Sequence, residues 1–322
     1  MADALDDFRA WVIGCLGHAP EAIEPGRLHR FPTNNRRADK AGFCKLFDDL
    51  RGGFCGDHRS GAYGTWSARG AAPLSLAERA AWLREIERAK AQAAREQAEA
   101  WARARERNSA TWASCARLLP GDPVTLYLKG RGLALWPLPP VLRYALALPY
   151  YEDRDHLGDF PAMVAPVQAI DGRALALHRT YLTRDGRKAD VPEPKKLTQA
   201  AGPLPGAAIR LATVREGVLG VAEGIETALA AFLGSGVPTW AAVSASGLAA
   251  FLWPDDVHEL IVFADHDTSG AGQRAADELA KRATAAGLTV RVLIPAEPGD
   301  WLDVFNAGGE LPGNFTEAPH GR

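Results

Sequence analysis

At 322 residues, 47% hydrophobic and 24% charged, the chain is long enough to bury the cores of two or more domains and too apolar to be a disordered segment. No run of about 18 apolar residues occurs, and the first residues carry Asp3, Asp6 and Asp7 instead of a basic stretch leading into an apolar one. A membrane span and a secretory leader are therefore not expected, and a cytoplasmic protein is. Four widely spaced cysteines, Cys15, Cys44, Cys55 and Cys115, read as reduced thiols and not as a disulfide scaffold. The net charge of −2 conceals a division: residues 1–215 carry a net +8 and residues 216–322 a net −10. Such a division suits a polyanion held beside a metal site, and it also suits ordinary uneven surface charge.

In chain order, residues 1–72 are rich in Gly, Arg and aromatics and in turn sequences such as FPTNN and RGGFCGDHRSGAYG, which predicts a small strand-rich unit. Residues 73–119 become rich in Ala, Glu and Arg. Leu76, Leu83, Ile86 and Trp101 recur there at roughly helical spacing, so one long helix or two are expected as a linker or packing arm. Residues 120–215 interleave Pro and Gly with short apolar runs, AMVAPVQAI, ALALHRTYL and AAIRLA, which read as strands of a basic α+β domain.

Residues 216–310 have the clearest rhythm. VLGVA (218–222), TWAAV (239–243), LIVFA (260–264) and TVRVLI (289–294) alternate with helix-like segments, and Gly234 and Gly287 stand where helix C-terminal caps belong. Runs apolar on both faces predict parallel strands buried between two helix layers. Residues 311–322 form a tail.

Each acidic motif of this segment begins where an apolar run stops. Glu223 follows VLGVA, Asp265 follows LIVFA, and Asp300 and Asp303 come after TVRVLI. In open parallel sheets ligands bind outside the carboxyl ends of the strands, so three segments should deliver acid to one edge. Asp265 and Asp267, two apart in an extended stretch, project to the same side, with His266 turned away. Carboxylates gathered without counter-charges repel, and a hard divalent cation, Mg2+ or Mn2+, is the natural partner. Glu226 divides evenly between a place in that site and a role at the helix N-terminus, Asp303 is read as a ligand, and Asp300 as the N-cap of the helix WLDVFNA.

VAEGIETALAAF, IVFADHDTSGAGQRAADELA and DWLDVFN together resemble the Toprim signature shared by DnaG-type primases, topoisomerases and some nucleases. PAMVAPVQAIDGRALALHRTYL, PKKLTQAAG and AAIRL are similar to the segment that precedes Toprim in phage and plasmid primases. YLKGRGLALWPLPPVLRYALALPYYED resembles those primases as well, and HRFPTNN with GAYGTW resembles their N-terminal zinc-ribbon-like unit.

The fold implied is α/β: a C-terminal Toprim domain, a Rossmann-like parallel sheet, preceded by an α+β basic domain, a long helical segment and a small degenerate zinc-ribbon-like unit. The activity implied is a DNA primase, a DNA-directed RNA polymerase that takes single-stranded DNA as template and ribonucleoside triphosphates as substrates. Glu223, Asp265 and Asp267 would be its catalytic acids, and these three with Asp303 its metal ligands. Arg179 and Lys196, with Lys195, Arg131 and His178 behind them, would contact nucleotide or template.

Zinc is not expected. Cys55 and His58 are closely spaced, but Cys44 and His29 supply no second close pair to complete a ribbon site. The aromatics Phe31, Phe43, Phe47, Phe54, Tyr63 and Trp66 would hold that unit together, with Arg51 or Arg59 available to clamp template bases. The chain has no GxxxxGK[ST] loop, so a helicase partner, which the resemblance implies, would be a separate protein. Two rival readings stay open: a Toprim nuclease using the same acids on water, and a non-catalytic nucleic-acid-binding replication protein. A topoisomerase is disfavoured, because the chain has no room for a strand-passing gate and its tyrosine domain.

Overall fold

In the computed structural model, residues 2–34, 40–57, 60–68, 76–309 and 311 are described. Among them no helix is long and apolar enough to cross a membrane. The chain divides into two compact units, Met1–Glu99 and Ala100–Arg322. The division falls inside the expected helical segment, which is one helix, α2 (Leu76–Ser114).

The first unit opens with a helix that the turn-rich composition did not announce, α1 (Ala2–Leu16). An antiparallel sheet follows, of β1 (His29–Phe31), β2 (Gly42–Leu46), β3 (Gly52–Asp57) and β4 (Tyr63–Ser67) in that order. Alternation sorts its side chains. Cys44, Leu46, Cys55 and Trp66 face Phe8 and Val12 of α1, while Phe43, Phe47 and Phe54 gather on the opposite face. Gly53 lets α1 approach, since a Cβ there would lie 2.5 Å from the Phe8 ring. Thus Phe31, Phe43, Phe47, Phe54 and Trp66 are packing residues, and Lys90 of α2 stands 4.5 Å over the Tyr63 ring. Arg59 lies outside the described residues.

The second unit begins, after the end of α2, with a meander: β5 (Ala116–Arg117), β6 (Arg143–Glu152), β7 (Asp155–Gln168), β8 (Ala174–Tyr181) and β9 (Lys195–Leu197), each antiparallel to the next. Between β5 and β6, α3 (Pro123–Gly130) starts at Asp122, whose carboxylate accepts the Thr125 amide at 2.7 Å, with Pro123 in the first turn where no donor is needed. β7 is buried on both sides over residues 161–167. Met163, Ala165 and Val167 join Tyr127 and Leu128 of α3 in one core, whereas Ala162 and Val164 pack with Tyr150, Leu177 and Tyr181 in another.

The run AAIRLA, expected as a strand, is not one. Ala208 exchanges backbone hydrogen bonds with Gln168 of β7, and Ile209 does so with Ala241 of the following sheet at 2.8 and 3.0 Å. One residue thus pairs with each sheet, and the segment bridges them instead of extending either.

The second sheet contains β10 (Val218–Ala222), β11 (Thr239–Ala241), β12 (Glu259–Phe263) and β13 (Thr289–Leu293). All pair in parallel in the order β11-β10-β12-β13. Its helices are α4 (Ile225–Ser235), α5 (Ala245–Ala250), α6 (Ala271–Ala285) and α7 (Trp301–Asn306). The central strands are buried on both faces, as their uninterrupted apolar runs require. Val218, Ala222, Ile261 and Phe263 pack with α4 and α7, and Leu219, Val221, Leu260 and Val262 pack with α5 and α6. The left-handed cap of α4 is Gly236 (φ 72), two residues beyond the expected Gly234, which lies within the helix and packs on Leu311. Gly287 (φ 92) follows α6 as expected.

Candidate active site

The carboxyl ends of β10 and β12 release the chain into Glu223 and Asp265, and a third acid arrives by a different route. His266 and Gly299 exchange backbone hydrogen bonds at 2.9 and 3.1 Å, and the His266 ring donates from Nδ1 to the Pro295 carbonyl at 2.9 Å. This turns the imidazole away from the acids and draws the loop before α7 alongside them. Gly299 (φ 148) allows the turn, since a Cβ there would meet the Asp303 carboxylate at 2.8 Å. Asp300 consequently lines a cavity of about 230 Å3 together with Glu223, Asp265 and Glu226.

Asp300 does cap α7: its Oδ1 accepts the amides of Leu302 and Asp303 at 2.8 and 3.0 Å. Asp303 closes the box by accepting the Asp300 amide at 3.1 Å and does not line the cavity. Of these two acids the structure therefore turns Asp300 toward the site.

Asp267 accepts the Ser269 hydroxyl at 2.5 Å and the amides of Ala271 and Gly272 at 3.1 and 2.8 Å. Those bonds, the Ser269 hydroxyl first, hold its carboxyl down at about 2. Its position is tight, because a Cβ at Gly272 would lie 3.1 Å from its Oδ2. Asp265 is the opposite case. Burial, then the charges of Glu223, Asp300 and Asp267, push it up to about 7, and its Oδ1 is buried without a hydrogen-bond partner. Burial and then Asp267 also raise Glu223.

A buried carboxylate oxygen that lacks a donor and is surrounded by acids fits a hard divalent cation. Glu223 and Asp265, with Asp300 beside them, are the cavity side chains that could hold one, and Asp267, which does not line the cavity, stands near enough to both to raise their pKa values. Among the described residues no three such side chains converge into a finished coordination set.

The same cavity is also lined by the cations Arg131, Lys188 and Lys195 and by His178. Arg131 follows directly on α3, and its Nε is buried without a hydrogen-bond partner. His178 is buried on β8. Burial first, then Lys195, lowers its pKa to about 4, so it is neutral at physiological pH, and its Nδ1 has no hydrogen-bond partner. Lys195 Nζ donates to Glu226 Oε2 at 2.9 Å, and the Tyr127 hydroxyl donates to Glu226 Oε1 at 2.5 Å. Burial would raise the Glu226 carboxyl, but Lys195 and these hydrogen bonds outweigh it and hold the group at about 2. Glu226 is thus the floor of the cavity, joining α3 and β9 to α4.

Arg179 and Lys196 do not line this cavity. Arg179 donates to the Leu197 carbonyl at 3.1 Å and stands 5.4 Å from the centre of the Tyr181 ring. Lys196 Nζ donates to Glu152 Oε2 and to the Tyr151 carbonyl, both at 2.8 Å, over the Tyr150 ring. It fastens β9 to β6. Lys196→Ala is expected to lower the melting temperature measurably while magnesium affinity stays at the wild-type value, which a thermal melt with and without the ion would check. Sequence reasoning passed over Lys188, because TRDGRKAD reads as an ordinary polar hairpin.

In the first unit, His29 and Cys44 are cross-strand partners, as are Cys44 and Cys55. Burial raises both thiols, Cys44 to about 12, which opposes the thiolate form that a metal needs. His29 Nε2 accepts the Glu24 amide at 2.9 Å, and His58 lies outside the described residues.

Comparison with known proteins finds two family models along the second unit. Residues 102–211 match a "Domain of unknown function (DUF7146)", and residues 218–310 match the Toprim domain. No curated protein matches the chain. Among solved structures, a DNA primase domain from Pseudomonas aeruginosa is 17% identical over 58% of this chain and 68% of its own, with a TM-score of 0.39. The primase fragment of the bacteriophage T7 primase-helicase protein is 17% identical over 57% and 65%, with a TM-score of 0.37. The Aquifex aeolicus primase, zinc-binding and RNA polymerase domains, is 14% identical over 95% and 82%, with a TM-score of 0.43. The match over 218–310, the parallel order β11-β10-β12-β13 and the acids at its carboxyl edge agree: this segment is a Toprim domain.

Proposed function

We propose that this protein is a DNA primase that joins ribonucleotides into short primers on single-stranded DNA. One observation carries the reading above others: a single cavity is lined both by carboxylates suited to a metal and by cations suited to phosphate. The sequence resemblance to phage and plasmid primases, which spans both the Toprim segment and the domain before it, supports it as well.

In the reaction, the oxygen of a primer 3′ hydroxyl forms a bond to the α-phosphorus of a ribonucleoside triphosphate. The bond from that phosphorus to its bridging oxygen breaks, and pyrophosphate leaves with the electron pair. A divalent cation, when bound, supplies a more acidic hydroxyl and offsets charge on the triphosphate. Glu223, its carboxyl raised by burial, would take the hydroxyl proton. Asp265 and Asp267 fix the charge that organises the site. Glu226 holds Lys195 at the cavity floor and keeps the two domains in register. The template lies along the cationic α+β domain, to which Arg179 would contribute.

The test is incubation of the protein with single-stranded DNA, labelled ribonucleotides and magnesium or manganese, with Asp265→Ala in parallel, resolved on a denaturing gel. Short labelled oligomers from the wild type alone are expected. Degradation of the template without synthesis would replace this reading with a nuclease, and template binding with neither reaction would leave a non-catalytic role.

A further inference from the structure

We propose that Lys188 is a positioning residue that takes the polyphosphate of the incoming nucleotide, an inference that rests on the reading of this cavity as a nucleotidyl-transfer site. Lys188 sits on a hairpin between β8 and β9 that is built to hold it. Leu182 pairs across the hairpin with Lys188, the Thr183 amide donates to the Arg187 carbonyl at 2.8 Å, and the Gly186 amide donates to the Thr183 carbonyl at 3.1 Å. The tip is pressed onto α3. A Cβ at Gly186 (φ 79) would lie 2.5 Å from Leu126 Cβ and 2.7 Å from the Tyr127 amide, so the turn and the contact both need glycine. The hairpin is therefore fixed on the same helix that ends at Arg131, and its side chain at 188 reaches the cavity.

The charge arrangement says what it meets there. Lys188 lines the cavity together with Lys195 and Arg131, near enough that their like charges, after burial, lower its own pKa. Lys195 is neutralised by Glu226 at 2.9 Å. Among the described residues no ion pair engages Lys188 or Arg131, although Glu226 and Asp300 lie near enough to Lys188 to favour its charge. Cations gathered in one cavity repel unless an anion comes between them, and a polyphosphate brings several negative oxygens there. With the α-phosphorus at Asp265 and Glu223, the β- and γ-phosphates are the groups offered to Lys188. A nucleoside monophosphate has no such groups to offer.

The test compares wild type, Lys188→Ala and Lys188→Arg by calorimetric titration with ATP and with AMP in magnesium, alongside the Michaelis constant for ribonucleotides in primer synthesis. Lys188→Ala is expected to bind ATP about tenfold or more weakly, with AMP unchanged. The Michaelis constant should rise by the same factor at unchanged kcat, and Lys188→Arg should restore both. Equal ATP binding by wild type and Lys188→Ala, equal losses for ATP and AMP, or no ATP binding by the wild type would each overturn the proposal. Primer synthesis with no dependence on Lys188 would sink this inference and leave the primase reading standing. Lys188-dependent ATP binding without any synthesis would do the reverse.

Discussion

Asp265→Asn is expected to make no detectable primer and yet to melt at a higher temperature than the wild type in metal-free buffer at pH 8. Loss of a metal-holding charge at a transition state worth several kcal/mol corresponds to roughly a thousandfold or more in rate. The gain in stability follows from the same carboxylate. Its pKa is pushed up to about 7 by burial and by Glu223, Asp300 and Asp267, against about 3.9 for an unfolded aspartate. Between those values the native protein binds more protons than the unfolded chain. Stability from this group is therefore complete below about pH 3.9 and is lost as the pH rises through about 7.

Asparagine cannot ionise, so above pH 7 the variant avoids the cost of a buried charge among acids. Magnesium should raise the wild-type melting temperature, by binding the native state, and leave that of Asp265→Asn nearly unmoved. Thermal melts at pH 6 and pH 8, with and without magnesium, check this. An Asn variant no more stable than wild type at pH 8, with magnesium acting equally on both, would mean that the acids do not strain one another.

Glu226→Ala should destabilise the fold strongly, by about 3 kcal/mol in a denaturant melt. Removing one member of a buried ion pair typically costs about 3–5 kcal/mol. The lower end applies because the Lys195 side chain is 37% exposed, though that of Glu226 is only 6% exposed. The Tyr127 hydroxyl also loses its acceptor. The effect has a pH signature of opposite sign to that of Asp265. Glu226 is held at about 2, below its unfolded value of about 4.3. Its contribution is present above about pH 4.3 and disappears as the pH falls toward 2, so wild type and Glu226→Ala should converge in stability in acid. A gap that persists undiminished at pH 2 would show that packing, and not charge, makes Glu226 matter.

The parallel sheet was legible in the sequence because its central strands are buried on both faces. Val218–Ala222 and residues 260–263 of β12 must be apolar without interruption, and that pattern has few other causes. Glu223 and Asp265 were legible because the carboxyl edge of such a sheet is where functional side chains emerge. The Asp300 cap needed a local signal alone.

What the sequence did not determine depends on contacts between distant segments. Helix α1 has 15 residues, but its pattern was lost in a segment read for the turns that follow it. AAIRLA has the residues of a strand, but one sheet pairs with Ala208 and another with Ile209, and no local property records that division. The direction faced by Asp300 follows from the backbone pairing of His266 with Gly299. Lys196, set beside Lys195 in the sequence, points to Glu152 while Lys195 points to Glu226, because successive residues of a strand face opposite sides. Lys188 joins the site because Gly186 lets its hairpin rest on α3. The acids could be located from one segment read alone; the cations that face them are chosen by tertiary packing, since a side chain's charge is written in the sequence and its direction is not.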